Sequence, residues 1–438
     1  MKKLNKINSW AVPSLLLARV IYAINWFNIA AIFSLIASDF KQDISLLGLL
    51  TTSFLIGVGL FQVPGGILAA IKGSRRTAIY GITIASSAAL LCGLSSNLQQ
   101  IEILRFVVGL GMALFFGSSV TLITKCLGRG KEGFAVALLN SAHSIGGIIG
   151  IFGWIILAEI IGWRQSLLLS GVLGLVSSMF LIAFLPRQEE SNDKEKEEKQ
   201  HQKQIQQQVP NKQKHYQIKK SDIRRVLFDK SLFMFGLILL GAQIAWGLSL
   251  TFIVFYLEDY VRISPPIAGL IAGLGLMSGV ISAPIFGRIY DKTKNTGKLL
   301  FVCGLLMSAG VAGIAFTTGT SLGLYIAGVS NVLVGVFSAA VFTIAYASSN
   351  ITYKKGRMKM MKNEDNSIEA TSSFDTLAIS WVNGLSLFGA FWVPILFSLV
   401  VHHVGYTIAW LVGGILSFLF ILPSVGIKKY NVKADINN

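Results

Sequence analysis

Apolar runs long enough to cross a bilayer follow one another along almost the whole chain, and that feature limits what it can fold into. A run of about 20 residues spans the roughly 30 Å hydrocarbon core as a helix, because backbone groups in lipid must satisfy one another. Twelve such spans can be drawn, over 12–37, 46–70, 77–96, 101–124, 134–157, 166–185, 231–256, 267–289, 299–317, 322–347, 374–400 and 406–425. The chain is therefore expected to be an all-α membrane protein, not the two or three soluble domains that 438 residues would otherwise suggest. Its composition agrees: 53% hydrophobic, 13% charged, and 44 glycines that let helices pack where lipid offers no hydrophobic drive. The basic stretch Met1 to Lys6 leads into a run too long for a signal peptide and without a small-residue cleavage site, so it is expected to open the first span.

A net charge of +17 invites a nucleic-acid reading, so its distribution matters. Of 38 Lys and Arg, 33 fall in the tails and the even-numbered loops, and three (Lys41, Arg164, Arg262) in the opposite loops. The remaining two, Arg19 and Arg105, lie inside spans. That asymmetry predicts cytoplasmic N- and C-termini by the positive-inside rule. It explains the charge by topology, with no nucleic acid as partner. Cys92, Cys126 and Cys303 lack metal-like spacing, so no metal site, cofactor or disulfide framework is expected. The Glu/Lys/Gln run Glu189 to Gln208 has no hydrophobic face and reads as a solvated tether. The domains expected are an N-terminal six-helix bundle (1–186), a cytoplasmic linker (187–230) and a C-terminal six-helix bundle (231–438).

The two bundles align with each other. Gly48 matches Gly269 and Gly66 matches Gly287 at an offset of 221, while Gly162 before span 6 matches Gly405 before span 12 at 243. The extra 22 residues fall in the basic loop around Asn350 to Ala370, where an insertion is tolerated. Parallel six-span repeats joined by a linker are a pattern in which two halves rock around a midplane site.

Particular segments stand at corresponding spans. The loop after span 2 runs Gly65-Gly66 to Gly73-Ser74-Arg75-Arg76, and its counterpart is Gly287-Arg288-Ile289-Tyr290-Asp291-Lys292. Span 4 contains Arg105 followed by Gly109 and Gly111, and Gly162-Trp163-Arg164 precedes span 6. Over essentially the whole chain this set resembles the major facilitator superfamily of secondary transporters. The resemblance implies that family's fold, two pseudo-symmetric six-helix bundles, and a gating role for Gly66, Gly73, Arg75, Arg76, Gly109, Gly287 and Asp291. It also implies an acidic latch in the 2–3 loop, but Ala70 stands there, leaving Asp291 as the surviving candidate. Gly146, Gly150 and Gly153 are spaced like the family's antiporter segment. Ile151 replaces its proline, and Pro394 stands at the repeat-equivalent place in span 11.

Polar groups inside spans are costly and so mark candidate sites. Arg19, Tyr22, Asn25 and Trp26 are grouped on span 1 near helical spacing, favouring a cavity lining over a snorkelling arginine. Arg105 has Glu102 one turn away, and two roles stay open for it: the cavity and coupling role implied by the resemblance, or a structural salt bridge. Asn140 and His143 share a face of span 5. His143 stands deepest of the histidines and titrates near neutral pH when unperturbed, unless it is a packing group. Asn383 is the repeat partner of Asn140, and the two are expected to face each other across the pseudo-twofold axis. Gln243 and Trp246 on span 7 and Asn331 on span 10 complete the set of candidate substrate-binding residues.

No Asp or Glu stands in the middle of any span, so a coupling proton would have to use His143 or the Arg105–Glu102 pair. The leading expectation is a monomeric carrier in the plasma membrane, surrounded by lipid. It would move a small solute, an organic anion or polar metabolite, by alternating access with or without a coupling proton. A ligand sensor that does not transport and a multidrug efflux carrier are the alternatives. No nucleophile–base pair, metal cluster or Walker loop argues for an enzyme.

Overall fold

The computed structural model describes residues 10–41, 44–128, 130–185, 220–293, 295–360 and 368–427. The expected tether lies outside them as far as residue 219, as does the centre of the inserted loop at 361–367. Among the described residues there is no strand, and eleven helices are long and apolar enough to cross a membrane. The remaining expected span, the third, is the helix Ser74–Gly93, whose two arginines and many small polar residues make it less apolar.

Local chemistry sets the helix ends. Asn97 opens span 4 by accepting from the Gln100 N–H at 2.9 Å, and Asp229 opens span 7 by accepting from the Leu232 N–H at 3.0 Å. Gly162 and Gly405, partners in the repeat, close the far ends of spans 5 and 11 with φ of 88° and 95°, a backbone that favours glycine. Lys41 and Arg262 also correspond, at an offset of 221, and both take positive φ (51° and 62°) in the loops before spans 2 and 8. The internal repeat thus reaches down to single backbone angles.

Each half packs as a bundle of six. Spans 2, 3 and 4 lie together, span 3 against 6, and span 1 against 5 and 6; spans 8, 9 and 10 form the corresponding layer with 7, 11 and 12. Glycines allow the closest approaches. A Cβ on Gly57 would stand 2.2 Å from the Phe106 oxygen, and one on Gly109 2.2 Å from the Phe54 oxygen. Gly109 therefore joins spans 2 and 4 within one half. The halves meet through two corresponding crossings, span 5 on span 8 and span 11 on span 2.

Among the described residues, three spans break and then resume as α-helix. Span 1 is Ala11–Ala31 continued by Phe33–Phe40. Span 5 is Glu132–Ile148, a π turn over Ile149–Gly153, then Trp154–Ile161. Span 11 is Ile368–Ala390 and then Val393–Val404. Pro394 accounts for that last break: it has no N–H, and its ring would strike the Ala390 carbonyl four residues back. Its repeat partner, Ile151, lies in the π turn, so both halves interrupt the same span at the same depth by different chemistry.

Candidate functional site

A cavity of about 100 Å³ lies between the halves. Spans 1 and 5 bring Arg19, Tyr22, Trp26, Asn140 and His143 to it, and spans 7 and 11 bring Gln243, Trp246 and Asn383. Among its described lining residues there is no Asp or Glu.

Arg19 is 5% exposed. Its guanidinium carbon sits 4.3 Å from the Tyr22 ring centre and 5.0 Å from that of Phe116, contacts that hold the planar fork electrostatically. Its Nε and Nη1 are buried and have no acceptor among the described residues. His143 stands among four rings, with centroids 5.8 Å away for Tyr22 and Phe27, 6.2 Å for Trp26 and 6.5 Å for Trp246. Its Nδ1 is buried and likewise without a partner among the described residues. The two asparagines related by the repeat both reach the cavity, but each is bonded to span 10. Asn140 Nδ2 donates to Thr343 Oγ1 at 3.0 Å, and the Tyr346 hydroxyl donates to Asn383 Oδ1 at 2.5 Å.

Three expected residues stand away from the cavity. Asn331 ties the second half together, accepting from the Ser249 hydroxyl and donating to the Ile271 carbonyl at 2.7 Å. Asn25 donates to the Ile21 carbonyl at 3.1 Å and accepts from the Ser170 hydroxyl at 3.1 Å. Arg105 donates to the Asn25 carbonyl at 2.9 Å and lies 4.5 Å from the centre of the Phe54 ring. Glu102 accepts instead from Ser53 at 3.2 Å, so the described residues hold no Arg105–Glu102 bridge. Phe54 in turn packs edge-on against Trp26 at 4.8 Å, which places Arg105 behind the cavity wall. Arg105→Ala is expected to weaken substrate binding about tenfold by loosening span 1 (roughly 1.4 kcal/mol), a rise in KM that uptake kinetics would read.

The end of the molecule at which the described residues begin and finish, near Trp10 and Ile427, is closed. Asp291 accepts from the Gly133 N–H at 2.8 Å and the Phe134 N–H at 2.9 Å, so one carboxylate from span 8 caps the start of span 5 in the other half. Opposite it, Ser74, Thr376 and Thr121 form a hydroxyl chain across the halves at 2.7 and 2.9 Å. Gly66 lies against Leu377 and Ser380, and Gly287 against Gly133. Gly73 makes the turn after span 2 with φ 87°. Arg75 caps span 6 of its own half through the Ile182 and Leu185 carbonyls at 2.8 and 3.1 Å, while Arg76 is exposed. Asp291→Asn keeps an acceptor but removes the charge. It is expected to open this end by about 1 kcal/mol, roughly fivefold in population, read as faster labelling of a cysteine placed at Ala137.

Several lining residues carried no sequence expectation, among them Phe27, Gly279, Phe342 and Tyr346. A signal existed for span 10: Gly335, Ala339, Phe342 and Tyr346 continue the Asn331 face at steps of three and four. Nothing in an apolar span distinguishes Phe116, which lines the cavity, from its neighbour Phe115, which is buried away from it.

Residues 15–361 match the sequence profile of the Major Facilitator Superfamily. The probable sulfoacetate transporter SauU of Cupriavidus necator is 24% identical over 293 residues, covering 65% of this chain and 66% of that one. The riboflavin transporter RibZ of Clostridioides difficile is 24% identical over 59% of this chain and 62% of its own. For the probable galactarate/D-glucarate transporter GudP of Escherichia coli the values are 27%, 64% and 67%. The matches thus span just under two thirds of the first two relatives and about two thirds of the third. Among solved structures, the transporter FucP in its outward conformation superimposes with a TM-score of 0.65 at 13% identity, over 95% of this chain and 98% of that one. At that identity the likeness shows the fold alone.

Proposed function

This chain belongs to the Major Facilitator Superfamily, and we propose that it carries a small organic anion across the cytoplasmic membrane by alternating access. The observation behind this reading is Arg19, a buried cation in the cavity between the halves with no carboxylate among the described lining residues. A permanent charge in such a place is costly unless something pairs with it, and an anionic substrate is a partner that comes and goes. SauU and GudP, whose names point to organic anions, are in keeping with this. A carrier of cationic drugs would gain from a carboxylate that these lining residues do not supply.

Positive-inside charge sorting puts both termini, the linker and the closed end on the cytoplasmic side. The carrier unit is one chain in lipid, with bundles 1–186 and 231–438 rocking about the cavity and 187–230 as tether. Counterflow in proteoliposomes tests the reading: saturable exchange of a small organic anion such as a monocarboxylate, lost in Arg19→Gln, is expected. Saturable exchange of a neutral sugar without any anion exchange would overturn it.

With Glu102 bonded to Ser53, His143 is the cavity residue suited to a coupling proton. His143→Gln is expected to flatten the pH dependence of uptake. An unchanged profile in that variant would remove His143 from coupling.

A further inference from the structure

Resting on the organic-anion reading above, we infer that the substrate is a single-ring aromatic acid, one anionic group on one planar ring. The number of charges comes first. Arg19 is the one permanent cation among the described lining residues, since Arg105 lies behind the wall. A second anionic group would meet only His143, and burying it unpaired costs several kcal/mol. Dianions would therefore bind only where the imidazole is charged, at low pH.

The orientation of Arg19 carries the argument to the ring. Tyr22 and Phe116 hold its guanidinium against their rings and so fix its plane at the cavity wall. A carboxylate meets such a fork in the plane of the guanidinium through two parallel hydrogen bonds. In an arenecarboxylate that group is conjugated with the ring and lies near its plane, so the fork would set the plane of the whole molecule. An aliphatic acid, free to turn about its first C–C bond, would gain no such alignment.

The remaining walls suit a flat body. Trp26 and Phe27 from the first half, and Trp246, Phe342 and Tyr346 from the second, offer ring faces and edges, which favour offset or edge-on aromatic partners. Phe27 and Trp246 stand 6.2 Å apart across the halves, so a ring held there touches both. The volume, about 100 Å³, is of the order of a cavity that takes one benzene ring, about 150 Å³. The three fused rings of a flavin are far larger.

The test measures thermal stabilisation of the purified full-length protein by benzoate, cyclohexanecarboxylate, sulfoacetate and glucose at pH 7, since a binder of the native state raises its apparent stability. Benzoate is expected to bind about tenfold more tightly than cyclohexanecarboxylate, an aromatic contribution of roughly 1.4 kcal/mol. Trp246→Leu should erase that preference while leaving dependence on Arg19, and Arg19→Gln should remove both acids. Equal binding of the two ring acids, or binding of sulfoacetate alone, overturns the aromatic inference and leaves the anion reading standing. Glucose binding with no response to any anion, or silence from all three anions, overturns both.

Discussion

Arg19→Gln is expected to lower the affinity for the transported anion about 100-fold and to abolish uptake at micromolar substrate. The estimate follows from losing a buried charge-assisted pair, about 3 kcal/mol, which is roughly a factor of 100. Glutamine keeps a donor and much of the length, so the loss should be in binding, with insertion and thermal stability of the empty protein preserved. Stability is expected to hold or rise, because a buried cation with no carboxylate among the described lining residues is a burden on the empty state. Lysine is a poor substitute: it keeps the charge but not the fork that Tyr22 and Phe116 hold in place. Radiolabelled uptake alongside thermal melting separates these outcomes, and wild-type kinetics in Arg19→Gln would sink the assigned role. Arg105→Ala, behind the wall, is expected to act an order of magnitude more weakly.

Gly287→Val should hold the two halves apart at the closed end and stop transport without unfolding either bundle. A Cβ on Gly287 would stand 2.6 Å from the Gly133 carbonyl oxygen and 2.9 Å from the Ala137 Cβ. The first of these is backbone and cannot turn aside, so a branched side chain must separate span 8 from span 5. Overpacking of this kind costs about 1–3 kcal/mol, shifting the equilibrium from closed to open by roughly 5- to 150-fold. Cysteine reagents reaching Ser141→Cys from the closed end should react faster by that factor in an otherwise cysteine-free protein. Gly269→Ala, on the same span with nothing within 4 Å of its Cβ, should leave the rate unchanged. The repeat partner Gly66 faces the Ser380 Cβ at 2.7 Å and the Leu377 Cα at 3.0 Å, a partly side-chain contact, so Gly66→Ala should act in the same direction and less strongly.

Much of the cavity was legible beforehand because span 1 writes it at helical spacing: Arg19, Tyr22 and Trp26 recur every three or four residues and reach it together. His143, Gln243 and Trp246 stood out for the same reason, polar or amphipathic groups where lipid tolerates few. Arg105, Asn25 and Asn331 met the same criterion and still went elsewhere. A polar group in a span turns away from lipid, and in two packed bundles that leaves two destinations, a seam inside one bundle or the space between bundles. Periodicity cannot separate them, because both lie on the inward side. Asn140 and Asn383 illustrate a finer limit: the offset of 243 brought both to the cavity, yet Thr343 and Tyr346 on span 10 decide what each one holds. The partners of Asp291 were hidden for another reason. They are the N–H groups of Gly133 and Phe134, and a backbone donor has no side-chain signature.

By itself the sequence determined that the chain crosses a membrane repeatedly, that it is an internal duplication, and which span surfaces carry polar groups. Those follow from lipid's demand for satisfied backbones and from the rarity of charge within it. Only the tertiary structure decided that Arg19 lines the cavity while Arg105 supports its wall, and that Asp291 bonds to the backbone of the other half. These outcomes depend on how each helix is rotated and tilted against its neighbours. That setting arises from glycine contacts and ring packing summed over the whole molecule, and no single span encodes it.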